Sequence, residues 1–261
     1  MHFKDSIYTF QNLSNFPTIK HAVSTKAFDS MKKEDLSIHH GNLMKFGKTV
    51  DLKSIPLCMD QVHSGTVALI ENDREIVIPK SDGMVTKQKN LPLAIITADC
   101  LPILFYDQQK NVIGAAHAGT KGLLKNIIAN TVQQMHSTFD SNPKDIIVGI
   151  GPGIEKKCYE VGEEVALQFE KAFPTFQNIL FKESKHIVKR GNESSRLHSN
   201  NNEEKYLLDL RAIAVQCLLK EGILEGNIEV SEECTQCNKE TLYSYRSGDR
   251  SGRFVSVISL E

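Results

Sequence analysis

Two reactive side chains stand where short apolar runs give way to small residues: Cys100, at the end of Thr97-Ala98-Asp99-Cys100, and His117, within Ala115-Ala116-His117-Ala118-Gly119. A thiolate and an imidazole can share a metal ion, or act as nucleophile and base. His63, in Gln61-Val62-His63-Ser64-Gly65, is a third candidate, although a lone histidine before a Ser-Gly bend is more often a surface or hydrogen-bonded residue. The three lie too far apart in the chain for spacing alone to pair them. Cys234-Thr235-Gln236-Cys237 is the only C-x-x-C pair. A zinc ribbon needs a second such pair, and a zinc deaminase needs H-x-E upstream with proline before the first cysteine; both are missing, so the pair reads as metal-free. Arg246, Arg250 and Arg253, on a loop hinged by Gly248 and Gly252, suit a phosphate or a carboxylate as well as they suit solvent. Gly41 to Thr49 looks like a phosphate-binding loop but has five residues between its glycines where four are required, and no buried strand precedes it. It reads as a loop leading into a short helix or turn.

The elements that must position these groups follow from periodicity. Leu91 to Ile96 and Val112 to Ala116 are too short and too bare of polar faces for amphipathic helices, which makes them strands buried on both sides. Cys100 and His117 then sit near strand ends, where loops open a crevice. Leu57 to Val67 reads as a strand that ends near His63 and resumes at Thr66. Asn72 to Thr86, with its turn at Ser81-Asp82-Gly83, carries a hairpin signal. Leu123 to Phe139 repeats apolar residues at three and four, predicting one amphipathic helix entered through Gly119-Thr120-Lys121-Gly122. The turn after His117, carrying Lys121, is a candidate anion seat at that helix N-terminus, against a turn that merely needs glycine torsions. Asp145 to Ile150 is a further buried strand, Gly162 to Phe173 and Tyr206 to Lys220 are helices, and Ile228 to Val230 and Phe254 to Leu260 close the chain as strands. The first forty residues show no strong helix period. Ser184 to Lys205 is largely polar and reads as an exposed, mobile insertion.

With 261 residues, 40% apolar and 24% charged, the chain can bury a large core, and one domain over 1–261 is expected. A formal net charge of −1 and a pI near 6.8 provide no basic footprint for nucleic acid or an anionic membrane. No secretory signal and no run of 18 apolar residues is present, so a cytoplasmic location is expected, with the six cysteines as thiols, core residues or metal ligands. The sequon Asn192-Glu193-Ser194 is then idle. Small-molecule ligands are the expected partners, with no obligatory protein partner.

Five ordered motifs carry a resemblance. Asp60-Gln61-Val62-His63, Thr97-Ala98-Asp99-Cys100-Leu101-Pro102, Ala115-Ala116-His117-Ala118-Gly119, Gly151-Pro152-Gly153-Ile154 with Cys158-Tyr159-Glu160-Val161-Gly162, and Ser244-Tyr245-Arg246 with Ser251-Gly252-Arg253 resemble the laccase-domain family from about Leu36 onwards. Its members were long labelled polyphenol oxidases and are now described as purine nucleoside phosphorylases. The resemblance implies a layered α/β/β/α arrangement with mixed β-sheets. It also implies a metal, usually zinc, held by His63, Cys100 and His117, which are then the catalytic residues as well. The implied activity is phosphorolysis of adenosine, inosine and methylthioadenosine, with adenosine deamination as a second reaction. The chain departs from the family pattern at Thr120, Lys121, Glu155-Lys156-Lys157 and Ser247.

The donor set agrees with zinc, because two imidazoles and a thiolate leave one position open, which is the catalytic pattern. Copper is the lesser fit: a blue-copper centre usually places its cysteine, second histidine and axial methionine on one short loop, and here a strand separates Cys100 from His117. One metal per chain is expected, and replacing Cys237, which lies outside the metal motifs, is expected to leave metal content unchanged. Phosphate needs its own cationic seat. Arg246 is the first candidate and Lys121 the second, with His39 and Arg253 completing the candidate substrate- and phosphate-binding set. A copper-dependent polyphenol oxidase, a metal-free cysteine hydrolase using Cys100 with His63 or His117, and a non-catalytic binder of cell-wall precursors are the competing readings.

Overall fold

The computed structural model describes residues 1–32, 36–71, 77–78, 80–182 and 204–261. Its centre is a pair of mixed sheets, and their strands explain why the central apolar runs lack a polar face. In Leu101–Asp107 and Val112–Ala118 every residue is buried, because each strand is covered on both sides. Successive side chains point to opposite faces of a strand. Ile103 and Phe105 accordingly join a cluster with helix residues, while Leu104 and Tyr106 join a second cluster with residues of the other sheet.

The six-stranded sheet runs in the order Ile228–Val230, Ile146–Ile150, Leu101–Asp107, Val112–Ala118, Gly83–Thr86, Val67–Leu69. Leu101–Asp107 and Val112–Ala118 pair antiparallel, with His117 opposite Pro102 and Ala118 opposite Leu101. In the seven-stranded sheet, Phe254–Leu260 lies between Ile19–Val23 and Leu93–Thr97, and Leu57–Met59 runs parallel to Leu93–Thr97. Here Leu93, Ile95 and Ile258 point into the inter-sheet core, and Ala94, Val255 and Val257 point outward.

Helices close both outer faces. Ile127–Phe139 and Leu210–Lys220 bring Ile127, Val132, Met135, Ile213 and Leu218 onto the six-stranded sheet, and Leu36–Val50 sets Leu43 and Phe46 on the other. Each such side chain contributes about 1.5–3 kcal/mol on burial, so the layers hold together through their covered faces. The order is helix, sheet, sheet, helix, the layering that the resemblance implied. A small third sheet, Glu160–Gly162, Lys205–Leu208 and Leu180–Lys182, lies beside the helix Glu163–Ala172.

Several local expectations are corrected. Gly41 to Thr49 lies inside the helix Leu36–Val50, where burial of Leu43 and Phe46 against the sheet outweighs the cost of two helical glycines. Val77–Ile78 and Gly83–Thr86 do not form a hairpin: the first pairs with Leu57–Met59 and the second with Val112–Ala118, in different sheets. The single helix expected over Leu123 to Phe139 is two, Thr120–Leu124 and Ile127–Phe139, with Asn126 between them at φ 59°. Asparagine tolerates that left-handed conformation, and the break admits the His63–Gly65 loop: Lys125 Nζ and Asn130 Nδ2 donate to the carbonyls of His63 and Gly65. Tyr206 and Leu207 belong to the strand Lys205–Leu208, and the helix begins only after Asp209, whose carboxylate caps Ala212 N–H. The insertion expected over 184–205 lies outside the described residues except for its last two.

Candidate functional site

Cys100 ends the crossover that carries the chain from Leu93–Thr97 in one sheet to Leu101–Asp107 in the other. The turn is sharp: Asp99 sits at φ 83°, held by Thr235 Oγ1 donating to its Oδ1 at 2.6 Å and by Arg246 N–H donating to its Oδ2 at 2.7 Å. His117 is the penultimate residue of Val112–Ala118, so the antiparallel register brings it back beside the start of the strand that Cys100 precedes. His63 lies on the loop after Leu57–Met59 at φ 56°, a left-handed conformation uncommon outside glycine. Their ligand atoms lie within 4.8 Å of one another, and the two imidazole rings meet edge to face, 4.8 Å between centroids. Gly119 keeps the centre open, because a Cβ there would stand 2.5 Å from Cys100 Sγ.

Asp82 is the residue that sequence reasoning missed. It appeared only as the middle of a turn, yet its fully buried carboxylate accepts hydrogen bonds from the backbone N–H groups of Val62, His63 and Ser64, from Ser64 Oγ, and from His117 Nδ1 at 2.8 Å. One side chain thus fixes the His63 loop and the His117 tautomer together. With Nδ1 donating to the carboxylate, Nε2 of His117 is left for a metal or for the thiol.

Electrostatics follow from this enclosure. Burial pushes the Cys100 thiol up, but the imidazoles of His117 and His63 outweigh it and bring the group to about 6. Burial lowers His117, while the Cys100 thiolate and Asp82 raise it, with a net rise to about 9. Burial also acts against the charged form of Asp82, yet its bonds from His117 and Ser64 hold it well below the usual carboxylate range. Cys100 is therefore poised as a thiolate near neutral pH, the form that binds metals and attacks carbonyls.

The three donors open into a cavity of about 570 Å³, which Tyr159, Tyr245, Arg246, Arg253 and Lys32 also line. The Arg246 guanidinium lies 4.7 Å from the Tyr159 ring centroid, and its Nη1 donates to the Glu160 carbonyl at 2.8 Å. Tyr159 in turn shares a short hydroxyl hydrogen bond with Thr120. Of the candidate cations, Arg246 and Arg253 line the cavity, and Lys32 is an additional one that no motif marked. Two candidates do not reach the cavity. His39 is buried behind the seven-stranded sheet, its Nδ1 2.9 Å from the Met31 carbonyl and its Nε2 3.8 Å from Cys58 Sγ, because the helix Leu36–Val50 turns it toward the sheet. Lys121 is exposed on the single-turn helix Thr120–Leu124 and is absent from the cavity lining.

A second group of donors was invisible in the sequence. Cys158, on a short turn before Glu160–Gly162, brings its sulfur to Cys234 and Cys237, all within 4.8 Å. The spacing of Cys234 and Cys237 showed two thiols; the fold supplies the third.

Comparison with known proteins adds independent support. A family model described as multi-copper polyphenol oxidoreductase laccase matches residues 20–261. The chain is 30% identical to the purine nucleoside phosphorylase YlmD of Bacillus subtilis over 95% of its own length and 88% of that protein's. It is 30% identical to the purine nucleoside phosphorylase YfiH of Escherichia coli over 80% of the chain and 76% of that protein. The crystal structure of the hypothetical protein YfiH of Bacillus licheniformis superposes with a TM-score of 0.83 at 25% identity, covering 99% of this chain and 97% of that one. YlmD of Geobacillus stearothermophilus, at 23% identity and a TM-score of 0.79, shares the fold.

Proposed function

The chain belongs to the multi-copper polyphenol oxidoreductase laccase family, and from that membership we propose that its site is a zinc-dependent purine nucleoside phosphorylase centre with a secondary adenosine deaminase activity. The observation that carries the reading is one cavity holding both halves of the chemistry: the His63, Cys100 and His117 donors, and the cations Arg246, Arg253 and Lys32. Phosphorolysis of adenosine, inosine or methylthioadenosine requires phosphate at the anomeric carbon while negative charge develops on the departing purine. Arg246 and Arg253 can hold a phosphate through charge-assisted hydrogen bonds. Tyr159, Tyr245, Met59 and Ile96 give the same cavity aromatic and apolar lining for the base.

The donor set fits zinc. Two imidazoles and one thiolate leave a fourth position open, and zinc bound there supplies a Lewis acid that can polarise a water or take up charge on the leaving group. Asp82 orients His117 through Nδ1 so that Nε2 is the atom a metal would take in place of its proton, and it accepts from the backbone N–H groups of Val62, His63 and Ser64, which fixes the His63 loop. Copper oxidase chemistry is less well served. A strand separates Cys100 from His117, and among the described residues the other metal-capable group consists of thiols, with no further histidine cluster to hold additional copper.

One observation favours a second reading: the run Asp82, His117, Cys100 also has the form of a cysteine nucleophile with an oriented base. Chelation separates the two, since a zinc enzyme loses turnover with its metal and a cysteine hydrolase keeps it. The direct test is inosine and adenosine turnover with and without phosphate, together with metal analysis. Arg246→Ala is expected to raise the KM for phosphate and depress inosine cleavage by about ten- to a thousandfold, the loss of one charge-assisted bond of about 1.5–3 kcal/mol widened for a transition-state contact. Adenosine deamination, which uses water, should fall much less. An equal drop in both reactions with metal and fold retained would assign Arg246 to nucleoside positioning instead, and no phosphate-dependent turnover at all would favour the cell-wall-precursor binder.

A further inference from the structure

Outside the cavity, two segments far apart in the chain meet through sulfur. We propose that Cys158, Cys234 and Cys237 form a second metal site, a three-thiolate seat for Zn²⁺ that staples one wall of the cavity to the segment behind Cys100. Cys158 and Cys237, 79 residues apart, have their sulfurs 3.5 Å apart, and the Cys234 sulfur lies within 4.8 Å of both. Sulfurs on a tetrahedral zinc, each about 2.3 Å from the metal, stand about 3.8 Å from one another. A disulfide needs about 2.05 Å. The observed spacing is too long for a disulfide and suits three sulfurs around one ion.

The surroundings suit three thiolates. Glu155 N–H donates to Cys234 Sγ at 3.4 Å, a bond that steadies a sulfur ligand and fixes its direction. Zn²⁺ with three thiolates carries a net charge of −1, and Lys157 and Arg211 lie within electrostatic reach of the sulfurs. Access is open from one side only: Cys237 is exposed and Cys158 half-buried, while Cys234 is buried. The fourth position of such an ion would face the exposed side, open to water.

The consequence for the cavity runs through neighbours in sequence. Cys158 precedes Tyr159, whose ring carries the Arg246 guanidinium. Cys234 precedes Thr235, which donates to Asp99, the same carboxylate that receives Arg246 N–H. The backbone already joins these segments, with Thr235 N–H donating to the Gly153 carbonyl and Ile154 N–H to that of Asp99. A metal across the three sulfurs closes this arrangement covalently. On this proposal the chain holds two metal ions where one was expected, and replacing Cys237 changes metal content.

The test needs no turnover and so stands apart from the nucleoside reading. The full chain, kept reduced and anaerobic, is loaded with Zn²⁺ or with Co²⁺, whose near-ultraviolet thiolate charge-transfer band grows with the number of sulfur ligands. Wild type should hold two metal equivalents. Cys100→Ala should hold one and keep the larger share of the band, and exposed Cys237→Ser should also hold one but lose most of it. Cys158→Ser, on the other segment, should repeat the Cys237→Ser result, and neither substitution touches the buried Cys234. The proposal is overturned if both serine variants keep the wild-type stoichiometry and band, if Cys100→Ala removes all metal, or if Cys158 and Cys237 form a disulfide even with excess reductant and zinc present.

Discussion

At the scale of single residues, Asp82 has the greatest reach for its size. Its buried carboxylate joins the His63 loop to His117, so the geometry of two donors depends on one acceptor group. Asp82→Asn keeps the volume but replaces one oxygen with an N–H₂ group, which cannot accept from backbone N–H donors. Metal affinity at the His63, Cys100 and His117 site should then fall by about ten- to a hundredfold, the usual effect of losing such a supporting partner. Competition with a chromophoric chelator measures it, and an unchanged affinity would show that the loop is held without Asp82.

At the scale of elements, the segment from Leu242 to Arg253 brings two arginines to the cavity by a tight fold of its own. Asp249 accepts from Gly252 N–H and pairs with Lys26, while Tyr243 packs so closely on Gly252 that a Cβ at residue 252 would fall 1.8 Å from its ring. No flexible side-chain end can yield there, since the obstacle is an aromatic ring flanked by Lys26. Gly252→Ala should therefore cost about 1–3 kcal/mol of stability as overpacking and displace Arg253. Denaturant unfolding reads the first effect and the KM for phosphate the second; a stable variant with an unchanged KM would mean that Tyr243 swings aside freely.

At the scale of the whole molecule, His21 links the start of the chain to the seven-stranded sheet and couples stability to acid. Its Nε2 accepts Phe10 N–H at 2.8 Å, and burial lowers its pKa to about 4, with the Phe10 carbonyl and Glu229 offsetting part of that effect. The unfolded chain binds a proton as pH falls through about 6.5, the folded one only near 4, so the contribution is fully present above 6.5 and lost between 6.5 and 4. Across that window the loss should be about 1–3 kcal/mol. His21→Gln, which keeps an acceptor but does not titrate, should flatten the fall in urea-unfolding stability between pH 7 and 4.5. Parallel curves for the two proteins would remove His21 as the cause.

The sequence by itself determined several strands buried on both faces and singled out Cys100 and His117 near strand ends, while grouping His63 with them rested on the resemblance its motifs carry. An apolar run such as Val112 to Ala116 has one stable environment, whereas the strand Leu101–Asp107, which lies between Leu93–Thr97 and Val112–Ala118 in the chain, emerged only in the structure. The sequence also placed Arg246 and Arg253 in the tail. Only the tertiary structure decided what depended on contact between distant segments. Asp82 looked like a turn residue because its five donor groups, on four residues, come from another loop and another strand. Val77–Ile78 and Gly83–Thr86 looked like a hairpin because pairing is local in sequence but not in space, and the chain here changes sheets at Asp82. Two glycines masked the helix Leu36–Val50, whose stability comes from the sheet beneath it, and with it the burial of His39. The third thiol beside Cys234 and Cys237 carried no spacing signal at all, since a side chain's partners across 79 residues are set by how the layers pack.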